Sequence, residues 1–279
     1  MLSMAFNKRL FLASGMLCFS LAGLLLAGFK SEGINQSLFA PGEEVRVETD
    51  NEHIGGGHFL VYVPTDYTDQ RDWPAIFYYH GMNGQTKTWP FKQITDGKGF
   101  IIVGMEYIQR GGVKRTRRQY VEYLKRERRS VLEVRRYLAE HLRIDEKRIF
   151  VTGNSKGGWH TSAMLETSAR AWAGAVILAA GRHRVAKVLA NKAGREALRG
   201  KPIYIGVGQK DVNRRSAKGA TRYYRRLGAD VTFEMYKGAG HVFDFTKAKK
   251  LYDWLITNSA PVLTDPNRVD EDKPAETAK

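Results

Sequence analysis

Between residues 75 and 236 the chain alternates two kinds of segment, and this alternation restricts its possible folds more than any other feature. Runs rich in β-branched and aromatic residues at 75–79, 100–105, 148–152, 175–179, 203–207 and 231–236 read as buried strands. Helical patterns at 117–141, 156–168, 184–198 and 217–227 lie among them, and a last one at 242–256 follows. A strand that returns parallel to its predecessor needs a crossover of this length, so the pattern predicts an α/β fold: a mainly parallel central sheet with helices on both faces. Segments 45–49 and 58–63 precede it as an antiparallel pair, the second ending at Pro64. A chain of 279 residues suits one such domain, expected over 44–259. No repeat of solenoid or propeller period interrupts it.

The two ends read differently. Lys8 and Arg9 precede an uncharged, apolar stretch over 10–29, which has the layout of an export signal and about the length of a membrane span. Ser20-Leu21-Ala22 offers small residues for cleavage but would leave Leu24-Leu25-Leu26 on the mature end, so export is better supported than cleavage. Residues 1–29 are therefore expected to be a signal peptide or a signal anchor. The rest would then lie on the periplasmic or extracellular side, membrane-associated or released. Residues 30–43 read as a linker and 260–279, with Pro261, Pro266 and Pro274, as a disordered tail. The one cysteine, Cys18, lies in the apolar stretch, which excludes an intrachain disulfide framework and any metal site built on cysteines.

Lys and Arg exceed Asp and Glu by 45 to 29, a formal charge of +16. The densest run, 114–136, has two readings. It could attract an anionic surface, or it is the solvated face of a helix whose Val121, Leu124, Val131, Val134 and Leu138 point to the core. No nucleic-acid motif accompanies the charge, so nucleic acid is not an expected partner.

The chemistry concentrates where the strand at 148–152 runs into Gly153-Asn154-Ser155-Lys156-Gly157 and then a helical pattern. A serine on a strand-to-helix turn, flanked by glycines that let the turn pack closely, is a nucleophile presented at the end of a sheet. A serine hydroxyl needs a base, and His241, after Gly238-Ala239-Gly240 and the last strand, is the best-placed histidine. The histidine needs a carboxylate to fix its tautomer. Asp211 fits, lying just past the strand at 203–207 and ahead of His241, with Asp230 and Asp244 as fallbacks. Two backbone amides must face the developing oxyanion. Lys156 supplies one, and Met82, in the loop His80-Gly81-Met82-Asn83-Gly84, is expected to supply the other. His80, Asn83, Trp89, Trp159 and His160 are candidate substrate contacts, although core packing would also account for the aromatic residues. The chemistry requires no cofactor and no metal.

The run 138–159, with Ile144-Asp145, Arg148, Val151-Thr152-Gly153 and Ser155-x-Gly157-Gly158, resembles esterase-type α/β-hydrolases. The nearest pattern is the polyhydroxyalkanoate depolymerase and feruloyl-esterase-like group. The likeness extends to His80-Gly81, Asp211 and Gly240-His241. It implies the α/β-hydrolase fold and hydrolysis of a small-molecule or polymeric ester. Lys156 stands where that group often has a small or uncharged residue, and a cation there favours anionic or polar substrates. Only about two dozen residues separate the strands at 175–179 and 203–207, too few for a large lid. A peptidase or acyltransferase on the same fold, or a noncatalytic binding protein, is the alternative.

Overall fold

The computed structural model describes residues 38–109, 116–185 and 192–260. The expected export segment 1–29, residues 30–37 of the linker and residues 261–279 of the tail lie outside them. Eight strands form one sheet in the order β1-β2-β4-β3-β5-β6-β7-β8. They are β1 (Glu44–Glu48), β2 (His58–Tyr62), β3 (Trp73–Tyr79), β4 (Ile101–Met105), β5 (Ile144–Asn154), β6 (Gly174–Leu178), β7 (Pro202–Gly208) and β8 (Asp230–Tyr236). β2 pairs antiparallel with both β1 and β4. All pairs from β4 through β3, β5, β6 and β7 to β8 are parallel. The chain leaves β3 toward one edge to form β4, then crosses back to place β5 on the other side of β3. The carboxyl ends of β3 and β5 therefore flank a topological switch point, where a crevice opens beyond the sheet.

The helices are α1 (Trp89–Ile94), α2 (Arg117–His141), α3 (Lys156–Thr167), α4 (Lys192–Glu196), α5 (Arg214–Arg226) and α6 (Ala248–Ser259). Alternate strand residues supply opposite layers, as the two-residue period of a strand requires. Ala75, Phe77 and Tyr79 of β3 join a core with Leu124, Val131, Val134 and Leu138 of α2, Met164 and Leu165 of α3, and Tyr224 of α5. Ile76 and Tyr78 of the same strand point the other way, to Phe91 and Ile94 of α1 and Leu251 and Leu255 of α6. Each such fully buried side chain stabilises the fold by about 1.5–3 kcal/mol before the entropic cost of ordering it.

Several boundaries depart from the sequence expectation for local reasons. β5 starts at Ile144, not 148, because Ile144 pairs with Trp73 ahead of a register shift between Trp73 and Ala75. α1 was not anticipated; it has six residues and a proline in its first turn, too short to display a helical period. The last helix starts at Ala248, not 242. Asp244 accepts from the Thr246 amide at 3.0 Å and caps a 3-10 turn over Phe245–Lys247, leaving residues 241–244 as a loop. Of the helix expected over 184–198, the described part is α4, and residues 186–191 lie outside the described residues. Among the described residues, no helix is long and apolar enough to cross a membrane.

α2 carries most of the basic run. Thr116 and Gln119 form a reciprocal capping box at its start. Part of its charge is engaged within the protein. Arg135 bonds the Ala171 carbonyl at 2.9 Å and Glu146 at 2.7 Å, Arg128 bonds the Thr167 carbonyl at 3.3 Å, and Arg136 pairs with Glu133. The buried face of α2 includes one acid, Glu127, which is fully enclosed and accepts from the Ile108 amide at 3.1 Å. Burial pushes its carboxyl up from 4.5 to about 7, against the hydrogen bond from Tyr123.

The protonated form of Glu127 is thus favoured by folding. Its contribution to stability is fully present below about 4.5 and is lost as the pH rises toward about 7, where the folded protein must bury the charge. His160 and His183, pushed down to about 3 and about 4 by burial, act in the opposite direction, and they cancel in a comparison of variants. Glu127→Gln should therefore become more stable relative to wild type between pH 4.5 and pH 7.5, by an amount on the order of 3 kcal/mol. Urea denaturation across that range checks it; a stability difference independent of pH would contradict the assignment.

Candidate active site

The end of β5 and the start of α3 meet at Ser155, whose backbone is left-handed at φ 55°, ψ −115°. A non-glycine residue there carries about 1–3 kcal/mol of strain, which persists only where the surroundings enforce it. Here they do. The Ser155 amide donates to the Leu178 carbonyl on neighbouring β6 at 2.9 Å. A Cβ at Gly157 would strike the Tyr79 carbonyl on β3, and one at Gly158 would lie 2.6 Å from the Ala180 Cβ. The two glycines let α3 sit directly on the strand ends, and the serine side chain is pushed out above the sheet.

His241 lies in the loop after β8, and its Nε2 is 2.7 Å from Ser155 Oγ. Its Nδ1 is 2.9 Å from both carboxylate oxygens of Asp211, in the loop after β7. These partners fix the roles: Nδ1–H donates to Asp211, and Nε2 is left to accept from the serine hydroxyl. The Asp211 side chain is fully buried while that of His241 is 41% exposed, so the acid is shielded and the base faces the crevice. Asp211 also accepts from the Asn213 amide at 2.7 Å, which holds its carboxylate in place. Neither fallback acid reaches the histidine: Asp230 opens β8 and Asp244 caps the 3-10 turn. An aromatic series of Tyr236, Phe243, Phe245 and Trp89, with ring centroids 5.0–5.7 Å apart, anchors the histidine loop to α1.

Lys156 is the first residue of α3, so its amide has no acceptor within the helix. Met82 lies in the loop after β3 and is exposed, lining a cleft of about 960 Å³ together with Ser155 and Lys156. Both residues expected to supply the oxyanion donors therefore line the same cleft as the serine. The loop rests on a buried cluster: Tyr107 donates to the His80 carbonyl at 2.5 Å and stacks on Tyr79, and the Lys156 ammonium lies 3.6 Å above the Tyr107 ring.

Trp159 and His160 line the cleft, as expected. His160 is a buried wall, bonded to the Lys156 carbonyl at 3.1 Å and the Tyr123 hydroxyl at 3.2 Å. Burial, aided by His183, pushes its imidazole down to about 3, which leaves it neutral at ordinary pH. Three proposed contacts need correcting. His80 is buried under the loop with Nδ1 2.7 Å from the Gly81 carbonyl and Nε2 3.5 Å from Glu106. Asn83 holds a left-handed turn at φ 58° and is not among the residues that line the cleft. Trp89 stacks on Phe245 and does not line the cleft. Lys156 lines the cleft, and its ammonium lies against the Tyr107 ring.

Sequence reasoning missed much of the cleft wall. One face of α5 contributes Ser216, Gly219, Ala220, Tyr223 and Arg226, and the loop after β6 contributes Arg182, His183 and Arg184. The signal available was the helical spacing of 216, 219, 220, 223 and 226; nothing in the sequence alone said which face of α5 the serine would meet.

The prolyl oligopeptidase family model matches residues 92–193, less than half of the chain. No curated protein matches the sequence significantly. Among solved structures, the chain is similar to Thermogutta terrifontis esterase 2 phosphorylated by paraoxon. That match has a TM-score of 0.58 at 18% identity and covers 79% of this chain and 95% of that one. It is also similar to fluorophosphonate-binding serine hydrolase F of Staphylococcus aureus, at TM-score 0.57 and 16% identity over 78% and 99% of the two chains. A CE1 ferulic acid esterase from Anaeromyces mucronatus gives TM-score 0.55 and 16% identity over 78% and 90%. At such identities the likeness is one of fold. With the mainly parallel eight-stranded sheet, the elbow after β5 and these neighbours, the chain is an α/β-hydrolase in fold.

Proposed function

We propose that this protein is an exported serine hydrolase of carboxylic esters that works through an acyl-enzyme. The observation that carries the reading is the continuous hydrogen-bonded series from Ser155 Oγ to His241 Nε2 at 2.7 Å and from His241 Nδ1 to Asp211 at 2.9 Å. His241 takes the hydroxyl proton as Ser155 Oγ attacks the ester carbonyl. The amides of Met82 and Lys156 donate to the oxyanion, and Asp211 stabilises the imidazolium without taking its proton. The C–O bond to the alcohol then breaks, with the histidine returning the proton to the leaving oxygen. Water, deprotonated by the same histidine, attacks the acyl-serine to release the acid. The esterase neighbours favour an ester as the scissile bond.

The match to the prolyl oligopeptidase family favours a second reading, cleavage of an amide by the same steps. The series of three side chains does not distinguish the leaving groups. Paired 4-nitrophenyl esters and 4-nitroanilides of one acyl group separate the two. An activated ester is the faster substrate on either reading, so the test is the anilide, which should show no measurable cleavage, whereas turnover of the anilide would favour the second reading.

Ser155→Ala should eliminate turnover and labelling by a fluorophosphonate while the melting temperature stays close to wild type; covalent labelling that survives would remove Ser155 from the role. Asp211→Asn should lower kcat by about ten-thousandfold, because the amide can hold the histidine in the wrong tautomer. Steady-state kinetics on an activated ester measures this, and a rate near wild type would mean that another group orients His241.

Lys8 and Arg9 ahead of the apolar stretch 10–29 support export, with the catalytic residues beyond the cytoplasmic membrane. Fractionation of cells combined with outside protease should find the domain accessible and at least partly membrane-associated. A full-length product retained in the cytosol would exclude this.

A further inference from the structure

The cleft beside Ser155 is unbalanced in charge. Lys156, Arg182, Arg184 and Arg226 line it, and no aspartate or glutamate does among the described residues. Two of these cations are engaged. Arg182 holds the buried Glu166 through two bonds of 2.7 Å and lies 3.6 Å over the Tyr223 ring, and Lys156 covers Tyr107. Arg184 and Arg226 remain: both are exposed, and neither is paired with a carboxylate among the described residues. Arg184 stands on a fixed support. Next to it, the His183 amide donates to Ser162 Oγ at 2.8 Å, the His183 ring stacks on Tyr120, and its Nδ1 accepts from the Val185 amide at 3.1 Å. Arg226 ends the α5 face that forms the facing wall, where Gly219 leaves open space.

Resting on the ester-hydrolase reading, we infer that this cleft selects esters bearing an anionic group, with Arg184 and Arg226 as the residues that attract and seat it. The group is a carboxylate, sulfate or phosphate, carried on the acyl or the alcohol part. Guanidinium groups bind such oxyanions through paired N–H donors, and a cleft walled by one sign of charge concentrates the field at its mouth. Arg182 contributes less, because its Nε and Nη2 already donate to the buried Glu166 carboxylate, which offsets its charge.

The test uses the full chain and two pairs of esters. 4-Nitrophenyl hemiglutarate against 4-nitrophenyl valerate places the anion on the acyl side; 3-carboxyphenyl acetate against phenyl acetate places it on the alcohol side. In the Arg184→Gln/Arg226→Gln variant, kcat/KM for the anionic member should fall about tenfold relative to its neutral partner in one of the two pairs, which identifies the side. The fall should shrink as salt is raised from about 20 mM to about 0.5 M. Arg184→Lys/Arg226→Lys should retain much of the preference. Circular dichroism melting confirms that each variant is folded. Unchanged ratios in both pairs with a folded glutamine variant overturn the inference, while wild-type hydrolysis of the neutral esters would leave the ester-hydrolase reading intact. Failure of the wild type to hydrolyse any ester or to take a fluorophosphonate on Ser155 would remove both.

Discussion

The close approach of α3 to the ends of β3 and β6 is the constraint from which the site follows. Gly157 and Gly158 bring the helix backbone against the Tyr79 carbonyl and the Leu178 and Ala180 region at distances no side chain would permit. That contact holds Ser155 left-handed, which aims its hydroxyl out of the sheet. It also places the first amide of α3 near the loop after β3. Ser155 and the first amide of α3 are thus set by one packing contact at the switch point of the sheet, and the strain at Ser155 is borne by the burial of the strands around it.

The histidine and carboxylate that reach the serine come from elsewhere. Asp211 and His241 follow the adjacent parallel strands β7 and β8, whose registered pairing brings the two loops together. The Gln209 amide donates to the Tyr236 carbonyl and the Lys210 amide to the Ala239 carbonyl, so the loops are laced to each other before the side chains meet. Asp211 is thereby shielded from solvent, while the His241 imidazole is open to both serine and solvent.

Much of this was legible in the sequence because it is local. The elbow is written in consecutive residues, and the order Ser155, Asp211, His241 follows from three strand ends. The two-faced core was legible from β-branched runs long enough to cross a buried sheet. What escaped is tertiary. The six-residue α1 has no period to detect, and the delayed start of α6 depends on Asp244 capping a turn. His80 looked available but lies beneath the loop it belongs to, because Tyr107 binds its carbonyl and the ring edges against Tyr107. The cleft wall on α5 could not be assigned without knowing how that helix is rotated over the sheet. Lys156 was legible as a cation at the cleft, with its ammonium on an aromatic face, while the exposed guanidinium groups of Arg184 and Arg226 were not.

α5 divides its surface between two duties. Ala217, Thr221 and Tyr224 are buried, while Ser216, Gly219, Tyr223 and Arg226 line the cleft. Ala220 serves both, and half-buried Tyr223 also packs against the core. Ser155, Asp211 and His241 belong to strand ends and lie off this stripe; Asp211 meets α5 at its first turn, where it accepts from the Asn213 and Arg214 amides. A lineage carrying this fold can therefore alter the size and charge of what it accepts through single changes on one helical stripe, leaving both the bond-breaking apparatus and the packing that supports it inherited intact.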